Sequence, residues 1–251
     1  NKDGTWLRDL DNSQHKHTDA VYSVSFSPNG SEIVTAGKDG IKLWKIDGTF
    51  VKNIFVNNNW SYGIGYSPDG SHIASGHSDG TIKLWKSDGT WIKDLTEHRN
   101  GVRAISFSPD SSKIVSAGQD RTVKLWDVKQ GTSIATFEGH VGDVRSVSFN
   151  ADGSLIASAG ADNTIQLWKT KPILKKQVFS EHGDVVYVVD FSDDGLWVAT
   201  ASADKKVRVW RRNSEGIYEK NSQLEGHKNR IYSLAFSPDN STIASADEDG
   251  Q

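Results

Sequence analysis

Histidine, a hydroxyl residue and aspartate recur in this chain in fixed order, and together they are the parts of a hydrolytic triad. In such a triad a base takes the proton of a hydroxyl nucleophile while a carboxylate orients the base. Histidine stands at His17, His98, His140, His182 and His227, the hydroxyl at Thr35, Ser75, Ser116, Ser158, Thr200 and Ser245, and the carboxylate at Asp39, Asp79, Asp120, Asp162, Asp204 and Asp249. A catalytic centre is needed once, however. Residues that return at constant spacing in unit after unit point to a structural role. No GxSxG elbow, phosphate-binding loop or dinucleotide fingerprint stands in a strand-to-helix context. His15, His17 and Asp19 alternate like metal ligands, but no fourth ligand accompanies them, and neither a metal nor a cofactor is expected. The acidic turns Asp193-Asp194-Gly195 and Asp247-Glu248-Asp249-Gly250 read as turn chemistry before calcium chemistry.

The elements that position these residues are repeats. An aromatic residue before a turn recurs at Phe26, Tyr66, Phe107, Phe149, Phe191 and Phe236, spaced by 40, 41, 42, 42 and 45 residues. The hydroxyl follows each aromatic by nine positions and the aspartate by thirteen, while histidine precedes it by nine, except that Asn57 stands in the second unit. Within a unit, short alternating stretches such as SYGIGYS, HIASGH, TIKLWK and TWIKDL are separated by Asp-Gly turns, the pattern of antiparallel hairpins. No stretch of comparable strength has helical periodicity. Four-stranded sheets repeated radially would solve the edge-strand problem, so an all-β propeller is expected.

With the tryptophans that end the third strand, Trp44, Trp85, Trp126, Trp168 and Trp210, the pattern resembles the WD-repeat family over essentially the whole chain. The Trp-Asp pair itself survives only at Trp126-Asp127, with Lys or Arg following the other tryptophans. The resemblance implies that His, Ser or Thr, Asp and Trp form a hydrogen-bonded chain within each blade. The chemistry is sound, because a buried indole N–H needs an acceptor and imidazole can bridge hydroxyl to carboxylate. Asn57 lacks the reach of imidazole, so blade two should be held less tightly. The regular DGT-aromatic outer strands look like those of bacterial, especially cyanobacterial, WD-repeat proteins, which points to a cytoplasmic setting.

The first residues, NKDGTWLRDL, match KSDGTWIKDL after Trp85. We therefore expect one domain over 1–251, with residues 1–10 as outer strand d of the closing blade. Blades one to five would span 11–56, 57–96, 97–138, 139–180 and 181–224, and a partial blade six, lacking strand c, would span 225–251. With no methionine anywhere, position 1 is not expected to be a translation start, and a larger parent chain is expected around this one.

Bulk properties narrow the partners. The 251 residues carry a net charge of −3, which offers no broad basic surface for nucleic acid. No apolar run is long enough for a membrane span, and the absence of cysteine excludes disulfides. The resemblance implies a top face carrying the loops with His and Asp. There, at the start of each strand a, stand Tyr22, Tyr62, Arg103, Arg145, Tyr187 and Tyr232, with Trp60 and Arg230 two residues before two of them. Tyr, Trp and Arg are the residues enriched at interface hot spots. A non-catalytic scaffold or sensor that binds a protein or peptide on that face is expected. The alternative is a small-ligand receptor or enzyme using the central channel, for which Asp190 on strand a is the one candidate carboxylate. Trp6, Phe50 and Trp91 are expected to pack along the outer strands.

Overall fold

The computed structural model describes residues 15–55 and 59–250. Among them are 22 strands and no helix. Blade one contains β1 (Val21–Phe26), β2 (Glu32–Gly37), β3 (Gly40–Lys45) and β4 (Phe50–Phe55). Blade two contains β5 (Ser61–Tyr66), β6 (His72–His77), β7 (Ile82–Lys86) and β8 (Trp91–Leu95). Blade three has β9 (Val102–Phe107), β10 (Lys113–Gly118), β11 (Val123–Asp127) and β12 (Ser133–Phe137). Blade four has β13 (Val144–Phe149), β14 (Leu155–Gly160), β15 (Ile165–Thr170) and β16 (Ile173–Phe179). Blade five is β17 (Val186–Phe191), β18 (Trp197–Ser202), β19 (Val207–Arg212) and β20 (Tyr218–Leu224). Blade six comprises β21 (Ile231–Phe236) and β22 (Ile243–Asp247) among the described residues. Every sheet is antiparallel and ordered as in sequence, the meander that short turns impose on successive strands. The expected closing strand at 1–10 and the departure at Asn57 lie outside the described residues.

The turn between strands a and b shows why each repeat follows its aromatic residue with Ser or Asn and, two places later, Asp or Asn. In blade two Ser67 donates to Asp69 at 2.6 Å, Asp69 also accepts the Ser71 N–H at 2.9 Å, and Gly70 takes a left-handed φ of 71°. Those donors, led by the Ser67 hydroxyl, hold the Asp69 carboxyl at about 2.

Apolar side chains on b and c meet strand a, strand b and the tryptophan of the next blade. Val34, Ala36, Ile41 and Leu43 of blade one thus pack on Ile64, Tyr66, Ile73 and Trp85 of blade two. Neighbouring strands a touch closely whereas outer strands d mostly do not, so the sheets fan out as blades of a propeller. Full burial of each such side chain contributes about 1.5–3 kcal/mol, and the interblade layers form the core. At β1 this layer is uncovered: Val24 is 58% exposed where Val147 of blade four is 5%, and Phe26 is 57% exposed where Phe149 is 8%.

Candidate functional site

Blade four displays the repeated polar chain in full. The Trp168 indole donates to Ser158 Oγ at 2.9 Å, Ser158 Oγ lies 2.8 Å from His140 Nε2, and His140 Nδ1 lies 2.9 Å from Asp162. A carboxylate only accepts, so Nδ1–H donates to Asp162 and Nε2 accepts from the serine. Asp162 also accepts the Val141 and Thr164 N–H groups, at 2.8 and 3.1 Å, which ties the loop before strand a to the turn between b and c. Burial alone would raise the Asp162 carboxyl. The His140 hydrogen bond, with those from the other donors, outweighs it and holds the carboxyl well below the usual range. Blade three repeats the arrangement with Trp126, Ser116, His98 and Asp120, at 2.8, 2.7 and 2.9 Å. In blade one Trp44 donates to Thr35 at 2.9 Å, Thr35 meets His17 at 2.7 Å, and His17 pairs with Asp39.

A small residue behind the imidazole makes this possible. A Cβ added at Gly160 would stand 2.6 Å from His140 Nδ1, and one at Gly118 would stand 2.5 Å from His98 Nδ1. In blades two, five and six a side chain occupies this strand-b position, two residues after the hydroxyl, and the chain changes.

Blade two supplies its imidazole from another position. His77, from strand b itself, is fully buried and brings Nε2 to 2.8 Å from Ser75 Oγ, while Trp85 donates to the same oxygen at 2.9 Å. Imidazole is therefore present, delivered from a different backbone position. Asp79 is consequently no partner of a histidine: it is exposed and accepts the Thr81 N–H at 2.9 Å. Burial drives His77 down to about 4, against the opposing pull of the Asp79 charge.

Blade six also departs from expectation. His227 Nε2 meets Ser245 at 2.7 Å, but its Nδ1 is 2.9 Å from Asp247, not Asp249. Asp249 instead accepts from Asn229 at 2.6 Å, because Asp247, two residues after the hydroxyl, reaches the imidazole first. In blade five, Arg208 Nη1 donates to Asp204 at 2.7 Å and also faces His182 Nδ1. That ring nitrogen also lies 3.0 Å from Asp204, Nε2 lies 2.8 Å from Thr200 Oγ1, and the Trp210 bond to Thr200 lengthens to 3.4 Å. Burial, reinforced by the Arg208 charge, holds His182 at about 4. His77 and Asp247 escaped sequence reasoning, although the signal was present: Gly37, Gly118 and Gly160 occupy the position that they fill.

Above these networks lies the ring of Tyr and Arg side chains. Each occupies a β-bulge: the register between strands a and b shifts between Val21 and Ser23, Ser61 and Gly63, Val144 and Ser146, Val186 and Val188, and Ile231 and Ser233, and the same shift lies opposite Ala117 and Gly118 in blade three. Tyr22, Tyr62, Arg145, Tyr187, Tyr232 and Arg103 are the extra residues, outside the ladder and re-aimed by the bulge. Tyr22 and Tyr62 meet edge to face at 5.3 Å, and the Arg103 guanidinium covers the Tyr62 ring at 4.1 Å. Tyr187 and Tyr232 lie 4.7 Å apart, Arg145 pairs with Asp143 at 3.4 Å, and Trp60 stands 6.2 Å from Tyr62. Arg230 bonds the Tyr232 hydroxyl. Tyr22, Trp60, Arg230 and Tyr232 are exposed, and the other four are half-buried. The Nε atoms of Arg103 and Arg145 are buried without a hydrogen-bond partner.

The remaining candidates are engaged elsewhere. Asp190 accepts the Phe191 N–H at 3.0 Å and the Phe236 N–H of the next blade, as Ser25 accepts the Tyr66 N–H at 3.2 Å. It is a bridge between blades, and burial pushes its carboxyl up to about 6 against those donors. His15 stacks on Phe50 at 4.1 Å and Asp19 pairs with Lys38 at 2.9 Å, so these two do not converge with His17. Trp91 is exposed rather than packed along the outer strand, and its indole donates to Asp94 at 2.8 Å. Trp6 lies outside the described residues.

Comparison with known proteins agrees with this geometry. Over 63 residues, 24% of this chain and 15% of the relative, it is 38% identical to WD repeat and SOCS box-containing protein 1 of Homo sapiens. It is 40% identical, over 63 residues and the same shares, to the protein of that name from Danio rerio. The matched stretch is thus a small part of those relatives. The model of the WD domain, G-beta repeat, matches residues 9–45, 49–86, 89–127, 131–169, 174–211 and 218–251. With six matches spanning nearly its whole length, built on the Trp, hydroxyl and imidazole geometry above, the chain belongs to the WD-repeat family.

Proposed function

We propose that the chain is a non-catalytic platform that binds a protein or peptide on the face ringed by Tyr22, Trp60, Tyr62, Arg103, Arg145, Tyr187, Arg230 and Tyr232. WD-repeat proteins are in general protein-binding scaffolds. The observation that carries the reading to this face is the placement of six Tyr and Arg residues in six bulges, where side chains face outward on a rigid frame. Aromatic rings supply contact area at low entropic cost, and guanidinium groups offer charged donors for a carboxylate or carbonyl. The relatives named for WD repeats and a SOCS box join the repeat to another module, an arrangement that fits a binding role. Asp190 is engaged in bridging blades, which speaks against chemistry in the channel.

The test is a peptide selected from a displayed library against the chain, then titrated into a variant with Tyr62, Arg103, Arg145 and Tyr232 all replaced by alanine. Affinity should fall by at least about 30-fold while Tm shifts by no more than about 2 °C. Unchanged affinity, or an unfolded variant, would count against this face.

A further inference from the structure

The seam between blades two and three differs from the two that follow it, at the end of the strands opposite the Tyr and Arg ring, where the a–b and c–d turns meet. Between blades four and five this place is filled by Tyr218, 1% exposed, whose ring joins the buried cluster of Leu155, Leu167 and Phe191. Its hydroxyl donates to the Gly195 carbonyl at 2.7 Å. Between blades three and four a hydroxyl again takes the carbonyl of that turn, from Thr170 to Gly153 at 2.9 Å. Blade three carries neither hydroxyl. Val128 stands two residues after Trp126, as Thr170 stands after Trp168. Gly131 stands two residues before Ser133, the partner of Trp126, as Tyr218 stands before Lys220, the partner of Trp210. In the place of the phenol a groove of about 530 Å³ opens between blades two and three. His72, Leu84 and Ser111 line it where blades four and five have Leu155, Leu167 and Gly195, and Ile92 and Val128 extend its apolar wall.

We propose that this groove binds a tyrosine side chain of a partner polypeptide, with an acidic residue beside the tyrosine. The ring lies against Leu84, Ile92 and Val128, and its hydroxyl donates to the Ser111 carbonyl, the bond that Tyr218 makes to Gly195. That bond selects tyrosine over phenylalanine, because a buried carbonyl needs a donor and the phenol supplies one. The backbone contacts carry over as well. Gln177 of blade four holds the N–H and carbonyl of Tyr218, at 3.1 and 2.6 Å, and Lys93 occupies the position of Gln177 on blade two. Its Nζ already donates to a carbonyl, that of Lys129, at 2.9 Å, the same service that a carbonyl of the occupant needs. Charge completes the match. Among the described residues of the rim, Lys93 and Lys129 stand beside one carboxylate, Asp127, which is engaged by the Gln130 N–H at 2.7 Å. That balance favours an acid next to the tyrosine, as Glu219 follows Tyr218. The groove is separate from the face proposed above, since no Tyr or Arg of the bulges is among the described residues that line it.

The experiment titrates a labelled peptide with the sequence of residues 216–221, Gly-Ile-Tyr-Glu-Lys-Asn, into the full chain, beside the same peptide carrying Tyr218→Phe or Tyr218→Ala. The first should bind and shift the amide resonances of residues 92–93, 111–112 and 127–129. The phenylalanine peptide should bind about three- to tenfold more weakly, and the alanine peptide at least about 30-fold more weakly. Ile92→Asn in the protein should weaken the tyrosine peptide about tenfold, with Tm measured to confirm folding. The folded variant with Tyr62, Arg103, Arg145 and Tyr232 replaced by alanine should bind it unchanged. No binding by the tyrosine peptide, equal binding of the tyrosine and alanine peptides, or shifts confined to other residues overturns the proposal. So does loss of binding in the folded four-alanine variant, which would move the peptide to the other face. p-Cresol that binds as tightly as the peptide would assign the groove to a free phenol and overturns it too. Sedimentation that shows two copies joined through the groove, or cross-linking that finds residues 1–14 of the chain itself held in it, overturns it as well.

Discussion

Blades two and four solve one problem from opposite sides. Each buries a tryptophan whose N–H must be paired, and each pairs it with a serine backed by imidazole. In blade four the imidazole descends from the loop before strand a, and Asp162 clamps loop and turn together. In blade two it rises from strand b on His77, and Asp79 stays outside in solvent. The comparison teaches that the buried indole requires a hydroxyl and an imidazole, not a particular backbone position for either. A glycine on strand b decides between the two routes by leaving room for the loop histidine.

The largest expected effect comes from exchanging the routes. His77→Gly deletes a fully buried ring and leaves Ser75 short of a partner, at about 3 to 4 kcal/mol in denaturant unfolding. Adding Asn57→His, which supplies the loop histidine found in the other blades, should recover at least half of that. If the double variant is no better than the single one, the two routes are not equivalent.

Acid should act next. The unfolded chain takes a proton on each histidine near pH 6.5, whereas folded His77 and His182 resist until about 4, chiefly through burial. Their contribution is therefore intact above pH 6.5 and declines as pH falls from 6.5 to 4, by at most about 3 kcal/mol each. Thermal melts over that window should show the slope, and His77→Gln should flatten part of it.

The aspartates separate the two blades more gently. Asp162→Ala should cost about 2 kcal/mol, because several donors lose their acceptor, whereas Asp79→Ala should cost less than about 0.5 kcal/mol. Equal losses would mean that the clamp in blade four contributes nothing beyond its turn. One further effect runs in the stabilising direction. With its carboxyl near 6, Asp190 favours the protonated form in the folded state, so stability is present below its unfolded value and falls as pH rises through the folded one. Asp190→Ser should therefore raise stability above pH 6 by about 1 kcal/mol, with little change at pH 4.

Much of this architecture was legible in the residues. The aromatic-Ser-Pro-Asp turns announce a hydrogen-bonded reversal, and the distance from each turn to its tryptophan measures two strands. What escaped was local competition. His77 and Asp247 each sit two residues after the hydroxyl, close enough to displace the partner expected from spacing, and spacing alone does not say which side chain arrives first. The bulges were equally silent, because a register shift depends on pairing across two strands and leaves no mark on either alone.

Those bulges have a consequence for engineering. The six Tyr and Arg positions stand outside the ladder, so replacing their side chains disturbs no strand pairing and none of the tryptophan networks beneath. A library randomised at these positions alone would vary recognition on a constant frame. The propeller would serve as a ready-made display surface, its specificity written in six side chains and its fold in the rest.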